Sequence, residues 1–434
     1  MTKQMDPTRR KQARHAQKAK MKRRRRQTGL IVTAVILAVA AAAGWFFLGD
    51  HEPGETRPVE TQPPVTVPAE TQAPRPQTGT TVITIAAAGD LNVTDYVLEN
   101  AAHENGYDFS RTFLDVAPIL SGADLTLLNF EGNLSGESYS YATGAAPLEL
   151  PKALKAIGVD AVQTANSAAI RQGVSGLVTT LERFETAGLT PLGTFADSED
   201  FRRKGGYEIV EVEGIRIALI AFTKGMDNLG MPAGSEDCVN ILYKDYSSDY
   251  KKVDTDGIAR VLRNVAEEQP DLTIAMVHWG SEYNTEISKT QDKIRKQLQE
   301  GGVDIILGTH PHLVQKVDYD PIAHTLVAYS LGDFFGDAVM AGTNYSIILG
   351  MEITKIHSTG EVYLSGWDYT PIYTLKPEES LSGGHRVVRI REAMERYEMN
   401  FVGRVNEGAY NGMSKALQRI EDRVLPEKEA EDGQ

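Results

Sequence analysis

Short apolar runs alternate with amphipathic stretches between residues 81 and 373. VITIAAA, LTLLNF, DAVQTA, RIALIAFT, LTIAMV and VDIILG are brief and almost continuously apolar, which predicts strands buried on both faces. TLVAYSLGDF reads as one more strand. LDVAPILSGA, GLVTTLERFETAG and KIRKQLQEGG carry apolar residues at helical spacing, and the second of these ends at Gly188. Strands alternating with helices predict an α/β fold with a mostly parallel sheet and helices on both faces. YSIILGMEIT and EVYLSGWDY read as a later hairpin or meander, with a second sheet as one option. Beyond residue 376 the chain is charged, and HRVVRIREAMERYEMNFV and GMSKALQRIEDRVL predict two surface helices.

The pattern is different at the N-terminus. Residues 1–27 hold twelve Lys or Arg and one Asp, a net of +11; the whole chain is −14, so residues 28–434 carry −25. Residues 29–48, GLIVTAVILAVAAAAGWFFL, are uncharged and mostly apolar. As a helix this run is about 30 Å long, the thickness of a bilayer core. Basic residues 22–26 precede it, and Trp45, Phe46 and Phe47 close it, where aromatics favour the interface. We expect a single uncleaved transmembrane anchor at 28–49, with a cytoplasmic N-terminus and the rest of the chain outside the cell membrane. The alternative, a cleaved signal peptide, calls for an apolar core of only about 7–15 residues. The basic run abuts the span and so reads as a topology signal, and no nucleic-acid partner is expected.

Residues 50–80 contain seven of the 19 prolines, with many Thr and Glu, and predict an extended, semi-rigid linker. The expected division is a basic segment at 1–27, the anchor at 28–49, the linker at 50–80, the main domain at 81–375 and a charged helical extension at 376–434. Cys238 is the only cysteine, which excludes an intramolecular disulfide and a Cys-rich zinc site.

Candidate chemistry gathers where strands stop. VITIAAA runs into Gly89-Asp90, LTLLNF into Glu131, DAVQTA into Asn166, LTIAMV into His278, and VDIILG into His310-Pro311-His312. Ligands of parallel α/β sheets sit outside the carboxyl ends of the strands. Singly, each residue has an ordinary explanation: Gly-Asp is a common turn, and a strand-end His is more often structural. Together, two imidazoles flanking a rigid Pro311 with carboxylates from other strands suggest a shared divalent ion and metal-assisted hydrolysis. Asp90, Glu131, His278, His310 and His312 are the candidate ligands, and such a set suits Mn, Zn or Fe better than Ca.

These landmarks, in their order, resemble the CapA family of capsule-biosynthesis and poly-γ-glutamate synthesis proteins. The likeness runs over about residues 82–337. It rests on Gly89-Asp90, Asn129-Phe130-Glu131, His278-Trp279-Gly280 with Glu282-Tyr283, His310-Pro311-His312, and Tyr329 to Phe334. It implies a calcineurin-like metallophosphoesterase fold, layered with mostly parallel central sheets, here preceded by one transmembrane helix. The family pattern Ala-Asn-Asn-His-x-x-Asp-x-Gly is altered here. Ser167 replaces the second Asn, Ala168 the His and Arg171 the Asp, and Asp333 stands where the family has Asn.

In metallophosphoesterases, the resemblance implies, that Asn binds metal and the His–Asp pair helps protonate the leaving group. A methyl group cannot be a general acid. We therefore assign no catalytic residue and expect at most one tightly held ion. Asn166, Ser167, Arg171, Glu282 and Asp333 remain candidate substrate-binding residues.

Three readings follow. The first is a membrane-anchored protein that supports synthesis, export or attachment of an anionic capsular polymer such as poly-γ-glutamate. Its partners would be polymer-synthase subunits and the polymer, and its catalysis weak or lost. The second is an active extracellular metal-dependent phosphoesterase. The third is a non-catalytic interaction module with a vestigial metal site. An exterior charge of −25 repels a polyanion at low salt, so contact needs a local cation, from a metal or from Arg171 and Lys224.

Overall fold

The computed structural model describes residues 79–425, apart from 382 and 402. The basic segment, the expected span at 28–49 and nearly all of the linker lie outside the described residues. Among the described residues, no helix is long and apolar enough to cross a membrane.

Two mixed sheets carry the fold. The larger runs β16 (Arg386–Arg389), β15 (Val362–Leu375), β14 (Tyr345–Ile356), β1 (Thr80–Asn92), β4 (Leu125–Glu131), β5 (Ala161–Gln163) and β6 (Thr190–Leu192), with β13 (Asp333–Phe335) beside the end of β1. The smaller runs β11 (Val317–Asp320), β12 (Thr325–Ala328), β10 (Ile305–Thr309), β9 (Leu272–His278), β8 (Ile215–Thr223) and β7 (Tyr207–Val212). A two-stranded ribbon of β2 (Ala102–His103) and β3 (Gly106–Tyr107) lies apart. The strands that carry candidate ligands pair in parallel, and antiparallel strands flank them.

Strand alternation sorts the apolar residues into layers. Ile83, Ile85, Leu125, Leu127, Ile217, Leu219, Ile274, Met276, Ile305 and Leu307 form one core between the sheets. The intervening residues of the larger sheet, including Ala86, Leu128, Phe130 and Val162, face Phe184 and the helices on its outer side. Those of the smaller sheet, including Ile220, Ala275, Val277 and Ile306, face Ile258, Val261, Ile294 and Leu298 on its own outer helices. This is the two-faced burial that the apolar runs predict.

Two expectations need correction. The 345–375 hairpin forms, but it extends the first sheet, antiparallel to β1, because Ile347, Leu349, Met351 and Ile353 share the inter-sheet core with Ile83 and Ile85. The C-terminal helices form at Ile390–Glu398 and Glu407–Val424, yet they do not simply ride on the surface. Ala409, Met413, Ala416, Ile420 and Val424 recur at helical spacing and enter the same core, and residues 386–389 are a strand rather than a helix start.

Candidate metal centre

A one-residue irregularity in β1 aims the first carboxylate. Up to Ala87 the odd positions of β1 face the inter-sheet core. The pairing with β4 then shifts between Ala88 and Asp90, so Asp90 rather than Gly89 aligns with Asn129. The bulge reverses the alternation and turns Asp90 inward, while Leu91 turns to the outer core. Gly89 is required at this point because a Cβ there would lie 1.8 Å from the Gly332 carbonyl oxygen. Gly308 has the same role before the histidines, where a Cβ would lie 1.9 Å from the Tyr329 carbonyl oxygen. Both glycines let residues 329–332 pass close to the strand ends.

On the other strands the period of two needs no correction. Glu131 shares a face with Leu127, and His278 shares one with Met276. His310 and His312 flank Pro311 with positive φ values of 89° and 58°, a strained backbone of the kind held at functional sites.

The structure brings all five candidate ligands together, and Asp333 with them. Glu131, His278 and His310 offer ligand atoms within 4.8 Å of one another, and so do Asp90, His312 and Asp333. Glu282 forms a third such group with His310 and His312. The His278 and His310 ring centroids are 4.4 Å apart. His278 Nε2 lies 2.8 Å from Glu131 Oε1, and its Nδ1 lies 3.2 Å from the Thr223 hydroxyl. His312 Nδ1 lies 2.7 Å from Asp333 and 3.5 Å from Asp90.

Amides orient the carboxylates. Asn129 donates to Asp90 at 2.6 Å and to Glu131 at 3.2 Å, Asn92 donates to Asp333 at 2.9 Å, and the His310 backbone N–H donates to Asp90 at 3.1 Å. Asn92 was not singled out in the sequence, and Asn129 only as part of the Asn129-Phe130-Glu131 motif. The available signal was their spacing, since each lies two residues along a strand from a candidate ligand and so shares its face.

The electrostatics call for a cation. Burial drives the Asp90 carboxyl well up, the Glu131 charge adds to this, and burial also raises Asp333 despite its His312 partner. Burial opposes the charge of Glu131 too, but the hydrogen-bonded His278 outweighs it and holds the carboxyl below its usual range. Burial likewise opposes a charged His312, yet Asp333 and Asp90 raise its pKa well above the usual value. His310 is driven the other way, by burial and by the neighbouring His278 and Lys224, and its Nδ1 is buried without a hydrogen-bond partner.

Two buried carboxylates, the partly buried Glu131 and three imidazoles suit a divalent ion. Either Asp90, His312 and Asp333 or Glu131, His278 and His310 would hold it. Such an ion would act as a Lewis acid on a phosphoryl or carbonyl oxygen. The chain itself supplies the oriented donors and the seclusion from water.

The centre opens into a cavity of about 390 Å³, lined in part by Glu131, Ser167, Ala168, Arg171, Tyr283, His312 and Asp333. Ser167 donates to Glu131 at 2.9 Å, so its hydroxyl holds a carboxylate. Asn166, expected at the substrate, is fully buried and donates its amide to Asn129 and the Phe130 carbonyl. It is a strut under the site. Arg171 does line the cavity, but its guanidinium is engaged by Asp227 at 2.5 Å and by the Tyr141 carbonyl at 3.2 Å. Asp95, Asp227, Glu282 and Asp337 also line the wall, so carboxylates outnumber cations where a substrate would enter. Asp227 was beyond sequence reasoning, because it reaches Arg171 from a loop without periodicity.

The profile described as "Bacterial capsule synthesis protein PGA_cap" matches residues 84–338. The PGA biosynthesis protein CapA of Bacillus subtilis (strain 168) is 26% identical over 336 residues, covering 75% of this chain and 81% of the relative. The capsule biosynthesis protein CapA of Bacillus anthracis is 26% identical over 279 residues, covering 62% of this chain and 63% of the relative. Among solved structures, a novel phosphatase from Mycoplasma pneumoniae superposes with a TM-score of 0.42 at 14% identity, covering 68% of this chain and 95% of that one. The matched segment begins inside β1 and ends just after β13, and it takes in every candidate ligand from Asp90 to Asp333; the chain belongs to the bacterial capsule synthesis family.

Proposed function

We propose that the chain is a membrane-anchored, extracytoplasmic member of this family that supports the synthesis, export or attachment of an anionic capsular polymer such as poly-γ-glutamate. Its strand-end centre holds a divalent ion, at most one of them tightly, and hydrolyses phosphate esters weakly or not at all. The anchor rests on the +11 segment ahead of a 20-residue apolar run. The calcineurin-like reading of the fold rests on the order of the sequence motifs and on the donor set at the strand ends.

One observation carries the catalytic part. Ala168 presents a methyl group to the cavity beside Glu131 and Ser167, and the adjacent cation Arg171 is tied to Asp227. Neither residue is placed to protonate a leaving group. The carboxylate-rich wall also bears on the polymer. An anionic chain is repelled there, so its contact runs through the bound ion or through a partner protein.

Two experiments test the cellular role. Protease added to intact protoplasts should remove the large domain and spare the N-terminal segment; protection of the whole chain rules out the topology. Affinity purification of the full chain from native membranes should recover polymer-synthesising enzyme or the polymer. Recovery of neither would favour the interaction-module reading.

A further inference from the structure

Lys224 occupies an unusual seat. Its ammonium lies 3.3 Å from His310 Nε2, donates to the Gly280 carbonyl at 2.8 Å, and stands 4.7 Å from the centre of the Tyr250 ring. It shares a recess with Ser167, Asp227, His278, Glu282 and His310. An ammonium has three N–H donors and no acceptor, so His310 Nε2 must accept. The proton of the neutral ring then sits on Nδ1, the atom that is buried without a partner.

This arrangement conflicts with a metal on either nitrogen of His310. An ion on Nε2 would need the place that the ammonium holds. An ion on Nδ1 would need that atom's lone pair, which moves the proton to Nε2 and sets an N–H donor against the ammonium. In the first case Lys224 must leave its seat, and in the second its contact with His310 is lost. The other half of the centre has no such resident. Asp90 and Asp333 face a single imidazole, His312, and among the described residues no lysine or arginine side chain hydrogen-bonds or ion-pairs with any of the three.

We propose that Lys224 is the built-in cation of the Glu131–His278–His310 half. The centre then takes one divalent ion, at Asp90, His312 and Asp333, and Lys224 keeps a second ion out. This rests on the metal-binding reading above and adds to it the position of the ion and the cause of the single occupancy. Ser167 contributes by leaving the Lys224 half one amide ligand short, but the exclusion itself is assigned to the lysine.

The test is metal stoichiometry, read by elemental analysis of the detergent-solubilised full chain after loading with Mn²⁺ and gel filtration. Wild type should retain one ion per chain. Lys224→Met should retain two, and Lys224→Arg, which keeps the charge, should stay at one. Thermal melts of the metal-free proteins check that each variant is folded, and Lys224→Gln replaces Lys224→Met if that variant is not. Two ions in wild type overturn the proposal, as does one ion in both wild type and the neutral variant. No ion in any of them overturns the metal-binding reading itself, and the proposal falls with it.

Discussion

The two halves of the strand-end centre are built from similar residues but are charged differently. Around His312, the carboxylates Asp90 and Asp333 share one imidazole, and burial raises both of their pKa values. Around His278 and His310 the buried side holds Glu131, the exposed side Glu282, and the Lys224 ammonium closes the group. The first half has an excess of negative charge that the protein does not neutralise. The second has a cation of its own in contact with a candidate ligand. Similar donor sets therefore do not imply similar appetites for metal. What decides is whether a cation is already in place, and that depends on a residue outside every ligand motif.

The largest expected effect falls on the first half. Asp90→Asn and Asp333→Asn should each weaken Mn²⁺ binding by on the order of 10²-fold, because even outer partners of metal sites cost about 10–100-fold. Isothermal titration of the full chain measures this. If Ser167→Ala were to lose as much affinity, the halves would have been ranked wrongly.

Next comes the bulge that aims Asp90. Gly89→Ala places a methyl group against the Gly332 backbone, and overpacking of this kind costs about 1–3 kcal/mol. Chemical denaturation should show this loss together with weakened Mn²⁺ binding. The same loss of stability with unchanged affinity would mean that the bulge serves packing alone.

A smaller, pH-dependent effect concerns the support under Asp333. His385 is packed against Phe335 of β13 and Tyr96, with ring centroids 4.5 and 5.0 Å away. Burial, with a contribution from Lys376, pushes its pKa down to about 4. The unfolded chain, at about 6.5, binds more protons between those values, so stability falls as pH drops through 6.5 and levels off below 4. The loss should reach roughly 2 kcal/mol by pH 4.5. His385→Phe should remove that part of the slope in thermal melts at pH 7 and pH 4.5; parallel declines in both proteins would assign it to other groups.

The smallest effect concerns Arg171. Its pair with Asp227 is partly exposed, so Arg171→Ala should cost less than about 1 kcal/mol of stability. A larger loss in denaturant would mean that the guanidinium organises the cavity wall.

The sequence made the strand ends legible because short apolar runs mark buried strands and the residue at each stop is easily read. The layering followed from the same period of two. Other features depended on contacts that no local pattern records. The hairpin at 345–375 reads the same whichever sheet it joins, and only its pairing with β1 decides. The C-terminal helices look like surface helices because charge surrounds the stripe of Met413, Ala416 and Ile420, which is wide enough to enter the core. In the site, Asn166 looked available because it ends an apolar run, whereas the fold encloses it. Lys224 was visible as a nearby cation, but its contact with His310 joins positions 86 residues apart in the sequence.

The proposed function requires that the centre keep its metal donors and lack a group that protonates a leaving group. The most direct measurement is steady-state hydrolysis of p-nitrophenyl phosphate by the Mn²⁺-loaded full chain. It compares wild type, His278→Ala, and the combined Ser167→Asn, Ala168→His and Arg171→Asp variant, each confirmed as folded by a thermal melt. The account predicts wild-type turnover close to that of His278→Ala, and a rise on the order of 10²-fold or more in the combined variant. Robust metal-dependent turnover by wild type, abolished by His278→Ala, would contradict it and establish an active phosphoesterase.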